Sequence, residues 1–130
     1  MQNVISTFSG VSVNDLAAAR TFYVDLLELR LIDENMGLNL ELPNGGRLFV
    51  YEKPDHMPAS FTVLNFVVND IDAAVDELLE KGVTMQRYEL GHGIAQDEKG
   101  IMRGLSANMG PDIAWFTDPA GNILAVLQSS

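Results

Sequence analysis

The chain has 130 residues, no cysteine, and a formal net charge of −10 from eighteen acidic and eight basic side chains. The lack of cysteine excludes disulfides, thiolate metal sites and cysteine nucleophiles, and the few Lys and Arg residues argue against nucleic-acid binding, which depends on clustered cations. The N-terminus lacks a basic segment followed by an apolar run, and no apolar run approaches the roughly 20 residues that span a bilayer. These features predict a cytoplasmic protein with no membrane partner.

The first part of the chain has the pattern strand, helix, strand, strand, strand. Alternating apolar residues predict strands at 4–13, 29–36, 37–42 and 47–53. Asp15 stands where a helix N-cap belongs, and an apolar stripe at helical spacing runs from Leu16 to Leu27. Pro43-Asn44-Gly45-Gly46 predicts a tight hairpin turn, because Asn-Gly supplies the positive φ angles that such turns need.

A polar linker at 53–58 separates this first module, at 1–54, from a second module at 60–130 with the same order. Strands are predicted at 61–68, 83–88, 113–118 and 122–127. A helical stripe beginning at Ile71 ends at Lys81 and Gly82, which supply the last-turn cation and the C-terminal glycine. The helix-capping segments also match, since Asn14-Asp15-Leu16-Ala17-Ala18 returns as Asn69-Asp70-Ile71-Asp72-Ala73. The repeat predicts two pseudo-equivalent β-α-β-β-β modules.

The two modules differ by one insertion. Asp15 and Asp70 are 55 positions apart, whereas Pro43 and Pro119 are 76 apart, so the second module holds 21 extra residues. They lie within 89–111, a segment that contains five glycines. A long glycine-rich segment is either a functional lid or a flexible excursion, and the sequence leaves both open.

The pattern resembles the vicinal oxygen chelate superfamily, which includes glyoxalase I, extradiol dioxygenases, and fosfomycin and bleomycin resistance proteins. The resemblance rests on Val13-Asn14-Asp15-Leu16 followed by Phe22-Tyr23, on Val68-Asn69-Asp70-Ile71, and on the segment 115–122. It implies one α+β domain over 1–130, in which the two βαβββ modules pair into a curved mixed sheet with a concave cavity. It also implies a homodimer whose binding clefts use modules of both chains.

In metal-using members of that superfamily, the ligands lie at four positions of the first and last strands of each module. Carried over to this sequence, those positions are Phe8, Phe49, Val63 and Ala125. None of these side chains can bind a divalent ion, which needs imidazole nitrogens or carboxylate oxygens. The resemblance therefore implies a metal-free member without cofactor, most similar to the bleomycin resistance type, and it favours a binding protein over an enzyme.

Strand alternation places further side chains on the predicted cavity face. The candidate ligand-binding residues are Phe8, Asn39, Glu41, Phe49, Tyr51, Val63, Asn65, Trp115 and Ala125. The aromatic members could stack on a flat ligand, or they could simply fill the concave sheet or a dimer interface. Glu41 could anchor a ligand cation or act as a general base, but a register slip of one residue would place it in solvent. No catalytic residue is assigned.

The leading hypothesis is a homodimeric, metal-free protein that sequesters a cationic or aromatic small molecule, since an acidic surface attracts cations. One alternative is a metal-dependent lyase, isomerase or dioxygenase that uses displaced ligands such as Glu41, Glu52 or His92. The other alternative is a non-catalytic domain that acts only through protein contacts. The only histidines, His56 and His92, fall in predicted loops, and the sequence gives neither a role.

Overall fold

The computed structural model describes residues 1–91 and 94–130, which divide into two compact units, Met1–Pro58 and Ala59–Ser130. Each unit contains a four-stranded mixed sheet and helical structure that follows its first strand. This α+β architecture confirms the predicted two-module fold. Within the described ranges, every helix is too short or too polar to cross a membrane.

The strands and helices of the first unit follow the predicted order. They are β1 (Ser9–Val13), α1 (Leu16–Arg20) continued by a π-helix (Thr21–Leu26), β2 (Arg30–Asp33), β3 (Leu38–Glu41) and β4 (Arg47–Glu52). The sheet order is β1-β4-β3-β2, with β1 parallel to β4 and the other pairs antiparallel.

The second unit repeats this topology. Its elements are β5 (Thr62–Val67), α2 (Ile71–Glu80), β6 (Met102–Arg103), β7 (Asp112–Thr117) and β8 (Ile123–Gln128). The sheet order is β5-β8-β7-β6, and the single parallel pair is again the first strand with the last. The repeat seen in the sequence is therefore a repeat of topology and strand direction.

Both helices begin as the sequence predicts. Asp15 Oδ1 accepts a hydrogen bond from the Ala18 amide at 3.1 Å, and Asp70 Oδ1 accepts the equivalent bond from Ala73 at 3.2 Å. Helix α2 ends at a Schellman motif in which Gly82 has φ +86° and the Val83 amide donates to the Leu78 carbonyl at 3.0 Å.

The first helix differs from the expected single α-helix, because five α-helical residues are followed by π-helical turns. The Leu27 amide donates to the Phe22 carbonyl, five residues earlier, at 2.9 Å. The wider turn accompanies the burial of two consecutive aromatic residues, Phe22 and Tyr23, whose rings meet edge to face at 5.1 Å.

One face of each sheet forms the core. Side chains of alternate strand residues are buried, as expected for a half-covered sheet. In the first unit they are Val11, Val13, Leu38, Leu40, Leu48 and Val50, and in the second Ala114, Phe116, Leu124 and Val126. Leu64 and Phe66, which alternation also places on the core face, are only half-buried. In the first sheet, most side chains of the opposite face are half-exposed.

The predicted hairpin turn between β3 and β4 is confirmed. The Gly45 amide donates to the Leu42 carbonyl at 3.0 Å, with Pro43 second in the turn and Asn44 third at φ +70°. A proline followed by a residue of positive φ defines a type II turn. Gly45, at φ +88°, then leads the chain into β4.

Two predicted strands were wrong in extent or position. The first strand starts at Ser9 rather than Val4, and the residues before it are exposed. The segment 83–88 forms no strand and makes only one bridge, from Met85 to Phe116. Its place beside β7 is taken partly by β6, which comes from the inserted segment.

The side chain of Gln96 explains why the segment 83–88 needs no full strand partner. Its carboxamide nitrogen donates to the Gln86 carbonyl at 3.0 Å and the Gly100 carbonyl at 2.6 Å, and its oxygen accepts from the Tyr88 amide at 2.7 Å. One carboxamide thus satisfies three backbone groups that a neighbouring strand would otherwise have to pair.

The described part of the insertion is anchored to α2 by ion pairs. Arg103 makes a two-pronged contact with Asp72, at 3.0 and 2.7 Å, and its Nε donates to Asp97 at 3.1 Å. Lys99 binds Asp76 at 2.9 Å, and Ile101 is fully buried. These contacts attach residues 97–103 to the rest of the second unit.

Candidate functional site

A cavity of about 570 Å³ opens on the half-exposed face of the first sheet. Its lining residues include two phenylalanines, a serine, a threonine, an asparagine and an arginine. The lining residues are Ser6, Thr7, Phe8, Asn39, Gly45, Arg47, Leu48 and Phe49. A volume of this size suits a small organic ligand, and three of the predicted candidates, Phe8, Asn39 and Phe49, line it.

Aromatic rings dominate this face. Phe49 and Tyr51, two residues apart on β4, are stacked with ring centroids 5.6 Å apart and planes inclined by 16°. Phe8 meets Phe49 edge to face at 6.4 Å, and 67% of Phe8 is exposed. Exposed aromatic surface of this kind offers a flat ligand a place to stack.

The position of the Phe49 ring depends on Gly37. A Cβ atom on Gly37 would lie 2.8 Å from Phe49 Cε1 and 2.6 Å from the Val50 carbonyl oxygen. Both distances are shorter than a van der Waals contact allows, and Gly37 has φ +153°. Only glycine therefore lets the β2–β3 connection approach β4 this closely.

The two polar candidates of the first unit already have protein partners. The Asn39 amide nitrogen donates to Asp33 Oδ1 at 2.5 Å. Glu41 accepts from Arg30 Nη1 at 3.0 Å, on the neighbouring strand β2. Asn39 lies directly across the ladder from Phe49, so its amide borders the cavity, whereas the Glu41 carboxylate is held in an ion pair.

Arg47 is a lining residue that the sequence prediction missed. It is exposed, and within the part of the chain that the structure describes its side chain makes no hydrogen bond or ion pair, although its backbone pairs with Glu41 in the ladder. Strand alternation contained the signal, because Arg47 lies two residues before Phe49 on β4 and so shares its face.

A second aromatic pair lies in the second unit. Trp115, a predicted candidate on β7, meets Tyr88 edge to face at 5.6 Å, and burial raises the pKa of the Tyr88 phenol. The other candidates on this sheet vary in exposure, since Ala125 is fully buried, Val63 is half-buried and Asn65 is exposed. Tyr88 was not predicted, because its segment was interpreted as an ordinary strand.

The ladder registers reproduce the equivalence of the four apolar positions. Phe49 pairs with Gly10 in the first sheet, and Ala125 pairs with Asn65 in the second. Gly10 and Asn65 are 55 positions apart, which is also the distance between the helix caps Asp15 and Asp70. Phe8 and Val63 each lie two residues before those partners. The side chains at all four positions lack the nitrogen or oxygen donors that a divalent ion requires.

Glu41 and Glu52, two of the displaced metal ligands that the sequence suggests, do not form a metal site in the described residues. Glu41 binds Arg30, and Glu52 Oε1 accepts a hydrogen bond from the Leu16 amide at 3.1 Å. His92 lies outside the described residues. Across residues 1–91 and 94–130, no group of three or more His, Asp or Glu side chains converges, so the described residues do not provide the ligand set that the metal of the fold family needs.

The other histidine is tied to the first strand. Ser12 Oγ and His56 Nδ1 are 2.6 Å apart in a half-buried contact that joins β1 to the linker. Ser12 lies across from Tyr51 in the parallel ladder, so the pair adjoins the aromatic face. The linker histidine that the sequence left without a role therefore anchors the end of the first module.

Comparison with known proteins supports the assignment of the fold. The sequence model of the Glyoxalase/Bleomycin resistance protein/Dioxygenase superfamily matches residues 5–126. No curated protein matches the chain significantly.

Solved structures show the same fold at low identity. TnmS3, an antibiotic binding protein from Streptomyces sp. CB03234, is 24% identical with a TM-score of 0.66, and the alignment covers 98% of each chain. A glyoxalase family protein from Bacillus anthracis is 18% identical with a TM-score of 0.65 over 100% of both chains. The fosfomycin resistance protein FosX from Mesorhizobium loti is 10% identical with a TM-score of 0.63, covering 100% of this chain and 95% of its own. With the family match over residues 5–126 and the repeated topology, the chain belongs to the glyoxalase/bleomycin resistance protein/dioxygenase superfamily.

Proposed function

We propose that this protein is a metal-free member of the superfamily that binds and sequesters a small aromatic molecule. The observation that carries the proposal is the cavity of about 570 Å³ beside Phe8 and Phe49. Its aromatic wall continues through the stacked Phe49–Tyr51 pair, and Asn39 adds a hydrogen-bonding edge. Ligand pockets combine apolar area with a few polar groups in this way.

The four apolar positions support binding without metal chemistry. By the resemblance, Phe8 and Phe49 stand at two of the positions where metal-using members of the family have ligands, and their rings meet edge to face at 6.4 Å. These two positions therefore supply stacking surface and no metal-binding atoms. Catalysis needs interactions that are stronger in the transition state than in the ground state, and stacking surface by itself supplies none, so we propose that the ligand is retained rather than converted.

The cavity lining favours the aromatic part of the hypothesis over the cationic part. The acidic net charge attracts cations in general, but the charged side chain that lines the cavity is Arg47, and Glu41 is paired with Arg30. Two structural neighbours are named as an antibiotic binding protein and a fosfomycin resistance protein. By analogy, we propose sequestration of a small organic compound as the role of this chain.

We also propose that the protein is a homodimer. Phe8 and Val67 are 67% and 70% exposed, and they lie beside the edge strand β1 and within the edge strand β5. Exposed apolar side chains at open strand edges are commonly covered by a second copy of the chain. Light scattering should give twice the mass of the 14.2 kDa chain, and a monomer at micromolar concentration would contradict this part of the proposal.

The metal-free part is tested by elemental mass spectrometry. The purified protein is incubated with zinc, nickel, manganese and ferrous iron and then gel-filtered without chelator. We expect retained metal far below one ion per chain. Near-stoichiometric metal would overturn the metal-free reading and favour the lyase, isomerase or dioxygenase alternative.

The binding part is tested by a thermal-shift screen of flat aromatic compounds against matched variants. A ligand at a hundredfold excess over its Kd should add about 2.7 kcal/mol to the free energy of unfolding. Phe8→Leu should weaken binding of the hits, while Phe61→Leu, which alters an equally exposed phenylalanine outside the cavity, should not. Absence of any stabilising compound would favour a domain that acts only through protein contacts.

A further inference from the structure

Almost all basic side chains of this protein form ion pairs or hydrogen bonds with other residues of the chain. Seven of the eight bind carboxylates or backbone carbonyls of the same unit. Their partners are Glu34 for Arg20, Glu41 for Arg30, Asp55 for Lys53, Glu77 for Lys81, the Asp97 and Glu98 carbonyls for Arg87, Asp76 for Lys99, and Asp72 for Arg103. Arg47 is the exception among the residues that the structure describes.

An unpaired arginine is unexpected in a chain where acidic residues outnumber basic ones by eighteen to eight. Glu41 lies directly across the ladder from Arg47, but its carboxylate binds Arg30 at 3.0 Å on the other side. The nearest strand partner that could neutralise Arg47 is therefore engaged elsewhere. The guanidinium group is left with its five donors available.

Arg47 also lies where a ligand would meet it. It lines the cavity together with Phe8 and Phe49, and it shares the face of Phe49 because the two residues are two positions apart on β4. Ser6 and Thr7, which carry hydroxyl groups, and Asn39, which carries an amide, line the same cavity. A cation, uncharged hydrogen-bonding groups and aromatic rings thus border one space.

We infer that the ligand of this cavity is an aromatic carboxylate, with its ring against Phe8 and Phe49 and its carboxylate on Arg47. This inference rests on the proposed binding function and adds the charge of the ligand. The planar guanidinium matches a carboxylate with two parallel hydrogen bonds, a geometry that lysine does not provide. A cationic ligand would instead be repelled by the charge that lines the cavity.

The test uses matched compounds that differ only in charge. Each of several bicyclic aromatic carboxylates, beginning with 2-naphthoate, is compared with its primary amide and its aminomethyl analogue. Kd values are measured by NMR titration on the full chain, which also reports whether the Phe49 and Gly45 amides shift. We expect the carboxylates to bind about tenfold tighter than the amides, with the aminomethyl compounds weakest, and raised salt should reduce the difference because Arg47 is exposed.

Variants assign the preference to Arg47. Arg47→Gln should weaken carboxylate binding about tenfold and leave amide binding unchanged, and Arg47→Lys should recover only part of the loss. Lys53→Gln is the control, since it removes the same charge from an exposed pair outside the cavity. Circular dichroism checks that each variant is folded.

The outcomes separate the inference from the proposed function. If carboxylates and amides bind equally well, and Phe8→Leu still weakens both, the binding function stands and the inference is overturned. Equal weakening of all three compound classes by Arg47→Gln would also overturn it. If no compound of any charge binds the wild-type protein, the proposed function fails and the inference fails with it.

Discussion

Glu52 and Gln128 have the same structural role in the two modules. Glu52, at the end of β4, accepts a hydrogen bond from the Leu16 amide at 3.1 Å, and Gln128, at the end of β8, accepts one from the Ile71 amide at 3.0 Å. Each amide is the first of its helix and would otherwise lack a partner. The last strand of each module is thereby joined to the start of its helix.

The first prediction concerns this bond in the second module. Replacing Gln128 by Leu keeps most of the side-chain volume but removes the acceptor, so the part-buried Ile71 amide loses its partner. We expect a loss of about 1 kcal/mol in the free energy of unfolding, measured by urea denaturation. Gln128→Glu retains an oxygen acceptor near a helix N-terminus and should be milder.

Glu52 provides the matching comparison in the first module. Glu52→Gln reproduces the side chain found at the equivalent position and should keep the bond to Leu16, whereas Glu52→Ala should not. Equal destabilisation by the two changes would show that the hydrogen bond contributes little. The comparison also tests whether the repeat extends to the function of individual side chains.

The features that depend only on neighbouring residues were predicted correctly from the sequence. The aspartate caps at Asp15 and Asp70, the glycine at Gly82 and the Asn44-Gly45 turn each need only a few neighbouring residues to specify them. The repeated topology follows because both modules carry these signals in the same order. Local chemistry therefore determined the fold class and most of the element positions.

The second prediction concerns Gly37. In Gly37→Ala the added Cβ would meet the Val50 carbonyl at 2.6 Å and the Phe49 ring at 2.8 Å, so the backbone or the ring must move. We expect a loss of about 1–3 kcal/mol in the free energy of unfolding and weaker binding of aromatic ligands. Gly46→Ala is the control, since its φ of −66° suits any residue and its nearest contact would be 3.7 Å away. If both variants behave alike, Gly37 does not determine the ring position.

The third prediction concerns Gln96, which replaces a strand partner. Gln96→Leu removes hydrogen bonds to the Gln86 and Gly100 carbonyls and the Tyr88 amide. We expect a loss of about 2 kcal/mol, because Gly100 is buried and its carbonyl has poor access to water. Hydrogen exchange should accelerate at the Tyr88 amide first. Gln96→Glu keeps the acceptor and loses both donors, so it should leave the Tyr88 amide more protected than Gln96→Leu does.

Features that depend on distant contacts were missed. The segment 83–88 has the alternation of a strand, but its polar groups are paired by Gln96 from the insertion, which no local pattern reveals. The π-helical turns after Arg20 accompany the burial of Phe22 and Tyr23 together, a consequence of tertiary packing. Strand alternation places Arg47 on the same face as Phe49, but the lack of a partner for its side chain depends on tertiary contacts that the sequence does not reveal.

The last prediction concerns the ion pair between Arg103 and Asp72, which attaches the insertion to α2. The hydrogen bonds from Arg103 are the main reason why the pKa of the Asp72 carboxyl lies below its ordinary value. A carboxyl whose pKa is lower in the folded than in the unfolded chain stabilises the fold above the unfolded value of about 3.9, and this contribution disappears as the pH falls through the folded value. Asp72→Asn should therefore be less stable than the wild type at pH 7, and the difference should shrink below about pH 4. The effect should be modest, because the Asp72 side chain is 47% exposed.

Urea denaturation of both proteins between pH 2.5 and 7 measures this difference directly. Glu80→Gln is a suitable control, since Glu80 is an exposed residue at the end of the same helix. Hydrogen exchange should show the loosening in residues 97–103, because these residues are joined to α2 through Arg103 and Lys99. A difference between Asp72→Asn and the wild type that stays constant down to pH 2.5 would contradict the ion-pair explanation. It would indicate instead that the substitution acts through packing or helix propensity, neither of which depends on the charge of the carboxyl group.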